Sequence, residues 1–326
     1  MQRISILGTG AYGIALSKMF ALNDCSILMW TKFEDECARI SESRSNDEVL
    51  QGVYLDDNTR VTTNLKDACL FSSIIVIAIP SPFVRETLEE ARSYLNDKIL
   101  CVASKGLDNG QFMSEVLSSF VDKDKIVVIS GPSFAIDMVD SVPTGLSIAS
   151  LSDESINKVT LALANQKLRL VATNDVLGVE ICGSFKNVIA ICSGILAGLT
   201  SNSSCNAMFL TEAIHDVKHL ISYLGGNDRT ILSYAGIGDI LLTCTSIKSR
   251  NYKFGYMLAT KNMNEVEEYL HHTTVEGLST LISLNKVMHD KNIKIPLVEV
   301  LNDIISSHKN PRILLEYLMN KEIIRR

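Results

Sequence analysis

The sequence predicts an α/β protein in two units: a doubly wound parallel sheet over residues 1–175 and an all-α domain over residues 176–326. Three observations lead there. A β-branched run, RISILG from Arg3 to Gly8, passes through the glycines of GTGAYG directly into a helical pattern. Short apolar runs then alternate with mixed polar and apolar stretches, the rhythm of parallel strands joined by crossover helices. After Asn174 the strand signals stop and long helical periodicities fill the chain, with no low-complexity linker between the two regimes.

In the first unit Gly8, Gly10 and Gly13 fall on G-x-G-x-x-G, between a strand and a helix whose inward face carries Ala15, Leu16, Met19 and Phe20. This context predicts a Rossmann-type dinucleotide site. One glycine makes the tight turn, one admits a pyrophosphate to the backbone, one packs helix on strand, and the helix N-terminus faces the phosphates. The second strand is SILMW, Ser26 to Trp30. An NAD-selective site usually carries an acid near this strand's end to hold the ribose 2′-hydroxyl; here stand Thr31 and Lys32. Lys32 suits the extra phosphate of NADP, while Glu34 and Asp35 close by blur that reading; a solvated surface lysine is the plain alternative. Buried strands are expected at SIIVIAI (Ser73 to Ile79), KILCVAS (Lys98 to Ser104) and KIVVISG (Lys125 to Gly131). Their carboxyl ends, where such sheets bind ligands, lead into PSPF (Pro80 to Phe83), SKG (Ser104 to Gly106) and SGPSFA (Ser130 to Ala135). Lys105 therefore stands where a cofactor or substrate would lie, although a lysine at a strand end is commonly just solvated. TGLSIAS (Thr144 to Ser150) and LRLVAT (Leu168 to Thr173) flank a helical segment, Glu154 to Asn165, and extend the sheet at its edge.

The second unit opens on VLGVEICGSFKNVIAICSGILAGL, Val176 to Leu199. Val179, Cys182, Phe185, Ile189 and Cys192 recur three or four apart, widened by Ile191, Ile195 and Leu196, so the run predicts a central buried helix, the hinge and wall shared by both units. One lysine, Lys186, lies inside it. Burial disfavours the ammonium and moves its pKa toward neutrality, as a general acid or base requires; the alternative is a stem that snorkels to a helix end or to water. The run is long enough to cross a bilayer, but Glu180, Lys186, Asn187 and several glycines in its middle argue against a span. A helix over AMFLTEAIHDVKHLISYL follows, and then AGIGDILLTCTSIKSRNYKFG, Ala235 to Gly255. Gly236 and Gly238 open a turn before Asp239, and Ser249 caps a helix that begins at Arg250. Arg250 with Asn251 at such a start offers a phosphate site of guanidinium fork and free amides; an exposed loop arginine is the alternative.

With 326 residues, 46% hydrophobic and 21% charged, the chain can build two substantial cores and reads as globular. A net charge of −6 and a pI near 5.6 count against a broad nucleic-acid surface. Eight cysteines are scattered without a CxxC pair, several of them (Cys101, Cys182, Cys192) in apolar runs, as buried thiols of a reducing compartment would be. Glu212, His215 and His219 can share a helix face but read as polar surface, so no metal is expected. The first strand begins almost at once, no signal peptide is expected, and the expected location is the cytoplasm.

Taken together, GTGAYG, SKGL (Ser104 to Leu107), SGPSFA, GSFKNVIAI (Gly183 to Ile191), AGIGDILLTCTSIKSRNYKFG and VEG (Val275 to Gly277) resemble the soluble NAD(P)-dependent glycerol-3-phosphate dehydrogenases, the bacterial type most closely. Six pieces in one order, over nearly the whole chain, make the resemblance specific. It implies NAD(P)H as cofactor and hydride transfer at C2 of dihydroxyacetone phosphate or sn-glycerol 3-phosphate, the latter a precursor of glycerophospholipids. It implies a small-molecule substrate, no nucleic acid and no membrane span, and it allows a homodimer. Lys186 becomes the proton carrier, Lys105 a second cation near the same oxygen, and Asp239 the group that orients Lys186. Substrate contacts fall on Lys105, Gly131, Ser133, Lys186, Asp239, Ser249, Arg250 and Asn251. Cofactor contacts fall, besides the three glycines, on Ala11, Tyr12, Lys32, Lys105, Ala135, Arg250, Thr274 and Glu276. Ala11 stands where serine is frequent and Thr274 where valine is; both are small, and backbone contacts are expected to survive. Two other readings stay in view: a 3-hydroxy acid dehydrogenase of the same plan, which activity on a carboxylate without phosphate would favour, and a nucleotide-sensing scaffold without catalysis, against which the set Lys186, Asp239 and Arg250 argues.

Overall fold

The computed structural model describes residues 1–140 and 142–320, so residues 321–326 of the expected helical unit lie outside the described residues. The strands, in chain order, are β1 (Arg3–Leu7), β2 (Ser26–Trp30), β3 (Thr59–Thr62), β4 (Ile74–Ile77), β5 (Ile99–Val102), β6 (Leu107–Asp108), β7 (Gln111–Phe112), β8 (Ile126–Ser130), β9 (Thr144–Ala149) and β10 (Leu168–Thr173). Among the described residues β6 and β7 make a small hairpin and the other strands one sheet, ordered β10-β9-β8-β5-β4-β1-β2-β3. From β1 the chain winds outward to β2 and β3, then returns to β4 on the other side, so the direction of winding reverses between β1 and β4. That switch is where a sheet of this kind leaves a crevice at its carboxyl edge.

The connecting segments carry α1 (Ala11–Ala21), α2 (Glu34–Ser43), α3 (Leu65–Phe71), α4 (Val84–Ala91), α5 (Met113–Leu117), α6 (Ala135–Val139) and α7 (Asp153–Leu163). β4, β5 and β8 are buried along their whole length, as apolar runs covered by helices on both faces must be. Alternate residues serve opposite faces. Ile4, Ile6, Ile27, Val76, Cys101 and Val127 join Leu16 and Phe20 of α1 on one side. Leu7, Ile75, Ile77, Leu100, Val102 and Val128 join the other, in a single apolar cluster that runs on into the helical half.

The expectation of a parallel sheet needs one correction: β8 pairs antiparallel with β9, and β10 follows β9 in parallel, so the last two strands run against the rest. The link between β8 and β9 explains it. Its helix α6 has 5 residues, about 7.5 Å of rise against roughly 16 Å for a five-residue strand, so the link lies near the dozen-residue minimum of a parallel crossover and the antiparallel return is the shorter path.

After β10 come α8 (Val176–Leu199), α9 (Ser203–Leu224), α10 (Asp239–Cys244), α11 (Arg250–Thr260), α12 (Met263–His272), α13 (Glu276–Lys291), α14 (Pro296–Ser306) and α15 (Ile313–Met319). Asp175 caps α8, accepting from Gly178 N at 3.0 Å, and its other oxygen accepts from Asn227 N at 3.0 Å and from Thr230 Oγ1. Every residue of α8 from Gly178 to Leu196 is buried. The helix is long and apolar enough to cross a bilayer, yet it is enclosed by the rest of the protein. α11 lies directly against it. A Cβ on Gly194 of α8 would fall 2.0 Å from Tyr252 O, and one on Gly255 of α11 would fall 1.9 Å from Ile191 O, so the two backbones touch through glycine on both sides.

Candidate active site

Lys186 projects from the buried middle of α8, with 7% of its surface exposed. Its Nζ donates to Asp239 Oδ1 at 2.8 Å and to Thr243 Oγ1 at 3.1 Å. Asp239 is delivered by a single π-helical turn, Tyr234–Gly238, kinked at Gly236, that hands over to α10 at this residue, where the glycines at 236 and 238 predicted a turn. Lys105, from the loop after β5, donates to the other Asp239 oxygen at 2.6 Å and to Gly131 O at 3.3 Å. One buried carboxylate thus bridges two ammoniums that are far apart in sequence.

The electrostatics follow from the burial. Removal from water pushes the Lys186 pKa below the ordinary lysine range; Asp239 pulls it up, and the Lys105 charge adds to the fall. Burial alone would raise the Asp239 carboxyl, but Lys105 and Lys186 hold it below the ordinary carboxylate range. The Tyr12 hydroxyl meets Ser133 Oγ at 2.9 Å, and Ser133 Oγ donates to Gly131 O at 3.0 Å. The Lys105 ammonium lies 6.0 Å from the centre of the Tyr12 ring. Burial pushes the Tyr12 phenol up to about 12, so it stays a neutral hydroxyl. Lys105, Gly131, Ser133, Lys186, Asp239 and Tyr12 therefore form one connected group.

A second group adjoins it through the next residue of α8. Asn187 donates to Glu276 Oε2 at 3.3 Å and accepts from Asn251 Nδ2 at 3.0 Å, while Asn251 Oδ1 accepts from Gly277 N at 2.8 Å. Ser249 caps α11, accepting from Tyr252 N at 3.3 Å, so Arg250 and Asn251 occupy the first turn. Arg250 is half exposed and its Nη2 lies 3.6 Å from Glu276 Oε1. Thr274 is exposed, two residues before Glu276 at the start of α13.

The glycine loop gives the third part. Gly8 has φ 122°, and a Cβ there would lie 2.8 Å from Ala78 O; a Cβ on Gly13 would lie 2.4 Å from Gly8 O. At Gly10 a Cβ would meet nothing within 4 Å, and α1, opened by Ala11 and Tyr12, has no side-chain cap. Tight turn, tight packing and an open approach to free amides make a cradle that fits a pyrophosphate. Ala135 opens α6, which packs beside α1. Lys32 stands apart from the lysine pair, at the end of β2, with its Nζ 3.3 Å from Glu86 Oε1 and both side chains mostly in water.

Three polar residues of these clusters escaped the sequence reading. Thr243 lies one helical turn after Asp239 and had an i, i+4 signal; Asn187 was readable only as the neighbour of Lys186. Glu36, in the first turn of α2, accepts from Thr9 and Asn46 side chains, and no local pattern marks it. Glu180, on α8 and 7% exposed, accepts from Ser114 N at 2.7 Å and Ser114 Oγ at 2.5 Å; burial pushes its pKa up to about 7. Among the described residues no group of three His, Cys, Asp or Glu is placed to hold a metal ion.

Comparison with known proteins bears on the whole chain. Two family models match: NAD-dependent glycerol-3-phosphate dehydrogenase N-terminus over residues 3–156 and the C-terminus of the same enzyme over residues 175–316. A glycerol-3-phosphate dehydrogenase (NAD(P)+) of Staphylococcus haemolyticus is 33% identical over 94% of this chain and 94% of its own length. Its counterpart in Bacillus licheniformis is 33% identical over 98% of this chain and 94% of its own. The crystal structure of glycerol-3-phosphate dehydrogenase from Coxiella burnetii superposes with a TM-score of 0.92 at 27% identity, covering 98% of this chain and 99% of that one. The chain belongs to the NAD-dependent glycerol-3-phosphate dehydrogenase family.

Proposed function

We propose that the protein is an NAD(P)-dependent sn-glycerol-3-phosphate dehydrogenase that reversibly converts dihydroxyacetone phosphate to sn-glycerol 3-phosphate, a precursor for glycerophospholipids. The observation that carries the reading is the Lys186–Asp239–Lys105 bridge, beside the switch point of a sheet with an open glycine loop. A bound nicotinamide supplies or takes up the hydride at C2. An ammonium has three N–H donors. Lys186 commits two, to Asp239 and Thr243, and the third has no partner among the described residues. That proton goes to the C2 oxygen as the carbonyl becomes an alcohol, and Lys186 takes it back in the reverse direction. Lys105 likewise commits two donors, to Asp239 and Gly131 O, and brings a second positive charge to the same oxygen. Asp239 holds both stems in place. Arg250, at the capped start of α11 with Asn251 and Ser249 beside it, takes the substrate phosphate.

In this reading residues 1–175 bind the dinucleotide through the glycine loop, Ala11, Tyr12, Lys32 and Ala135. Residues 176–326 supply the proton carrier and the phosphate site, with Thr274 and Glu276 at the cofactor's edge. A homodimer working in the cytoplasm belongs to the same proposal; the second part is supported by eight cysteines that are all free thiols. The test is an assay of the purified protein with dihydroxyacetone phosphate and each reduced nicotinamide in turn. Oxidation of neither, or equal activity on a 3-oxo acid lacking phosphate, would reject the reading. Light scattering of the same sample reads the assembly.

A further inference from the structure

The adenosine end of the dinucleotide crevice holds a carboxylate that the catalytic reading does not use. Glu36 lies in the first turn of α2, six residues past the end of β2, and reaches back to the loops that follow β1 and β2. Its Oε2 accepts from Thr9 Oγ1 at 2.8 Å and from Thr31 Oγ1; its Oε1 accepts from Asn46 Nδ2 at 3.0 Å. Asn46 is fully buried and doubly fixed, donating also to Thr9 O at 3.1 Å and accepting from Arg39 Nη1 at 3.0 Å. Thr9 stands inside the glycine motif, between Gly8 and Gly10, so the carboxylate is pinned against the cradle itself.

A carboxylate offers about four acceptor sites. Three are taken here, and the fourth, on Oε1, belongs to a half-buried side chain that can still be reached from outside. A ribose 2′-hydroxyl is a donor and fits that site. A 2′-phosphate brings acceptors and negative charge, and meets repulsion. The cations of the flanking helices and loops are engaged: Lys32 pairs with Glu86, Arg39 with Glu48 and Lys18 with Asp56, and Arg44 donates to the carbonyls of Thr59 and Asp56.

We propose that the Glu36 carboxylate, clamped by Thr9, Thr31 and Asn46 at the rim of the dinucleotide crevice, accepts the adenosine ribose 2′-hydroxyl and rejects a 2′-phosphate, so that this chain prefers NAD(H) to NADP(H). The proposal rests on the dinucleotide reading of the site, and it moves the choice of cofactor from Lys32 to an acid farther along the chain.

The test is equilibrium binding by calorimetry, without substrate, using NADH, NADPH and the fragments 5′-AMP and 2′,5′-ADP. Wild type should bind NADH tighter than NADPH by about tenfold or more, the worth of one hydrogen bond to a charged group, and the fragments should follow the same order. Glu36→Gln should weaken NADH and strengthen NADPH, narrowing the gap. Glu36→Asp keeps the charge on a shorter arm; it should weaken NADH while leaving NADPH as poor as before. Thermal melts of each variant separate a changed site from a lost fold. Lys32→Ala is the counter-arm: it should weaken NADH and NADPH together and leave NADH the tighter ligand. The proposal is overturned if wild type binds NADPH as tightly as NADH, if Glu36→Gln shifts both by one factor, or if Lys32→Ala alone removes NADPH binding. The fragments carry no nicotinamide, so these results stand whatever the substrate is; an enzyme inactive on dihydroxyacetone phosphate with either cofactor would instead fail the catalytic reading.

Discussion

In the proposed mechanism Lys186 is the residue on which the chemistry turns, because two of its N–H groups are committed to Asp239 and Thr243 and the third is the one left to move. Lys186→Met keeps the apolar stem and removes the proton carrier, so turnover should fall by about two to four orders of magnitude while NADH affinity stays within a few fold. Turnover near wild type would show that another group carries the proton. For the oxidation of glycerol 3-phosphate the active form is the neutral amine. Its pKa is lowered by burial, so the turnover rate should rise with pH and level off below the ordinary lysine value. In the same proposal Arg250 grips the other end of the substrate. Arg250→Lys keeps charge but loses the fork, and should raise the Michaelis constant for dihydroxyacetone phosphate and lower turnover too; alanine should be worse. Unphosphorylated dihydroxyacetone is the control. If Arg250→Ala lowers activity on it by the same factor, the arginine is not reading phosphate. At this scale the sequence was legible where a residue contradicted its surroundings, as Lys186 does in an apolar helix. It was not legible where the meaning of a side chain lies in distant partners: nothing near Glu36 announces Thr9, nor does anything near Asp239 announce Lys105, which is 134 positions away.

Among the elements, α8 carries a second buried acid whose effect is on stability. Glu180 has its folded pKa raised to about 7 by burial, while an unfolded glutamate titrates near 4.3. A raised acid favours the folded state in its protonated form, so this contribution is present at pH 4 and is lost as pH rises through 7. Glu180→Gln removes the titration. Its melting temperature relative to wild type should therefore climb between pH 5 and pH 8, and a flat difference would mean that Glu180 is already ionised at pH 5. Elements also differed in how plainly they could be read. β4 and β5 are unbroken apolar runs and announce themselves, whereas β3, TRVT, is short, partly exposed and at the sheet edge. The β6–β7 hairpin turns on Asn109 and Gly110, at φ 50° and 81°, so its Asn-Gly signal was present but its strands were too short to show a period. The reversed direction of β9 had no signal in its own residues, because it is a matter of the short link before the strand and of its neighbour β8.

For the molecule as a whole, the decisive property is that the two halves share one apolar cluster through α8, the helix from which Lys186 projects and against which α11 carries Arg250. The contact of α8 with α11 makes this testable. In Gly255→Ala the new Cβ meets the Ile191 carbonyl, backbone that cannot rotate away, so α11 must move and take Arg250 and Asn251 with it. Such overpacking costs about 1–3 kcal/mol, and the melting temperature should fall accordingly. Turnover on dihydroxyacetone phosphate should fall further than NADH affinity. Unchanged kinetics in a destabilised variant would mean that the helix start does not set substrate position. The Gly194–Gly255 contact also acts as a ruler. If, as proposed, α8 holds the proton carrier and α11 the phosphate grip, the gap between them sets how many bonds can lie between reacting carbon and phosphorus. A hydroxyketone phosphate with one extra methylene in that span should be a poor substrate for the wild type, and Gly255→Ala, by lengthening the ruler, should narrow the difference between the two.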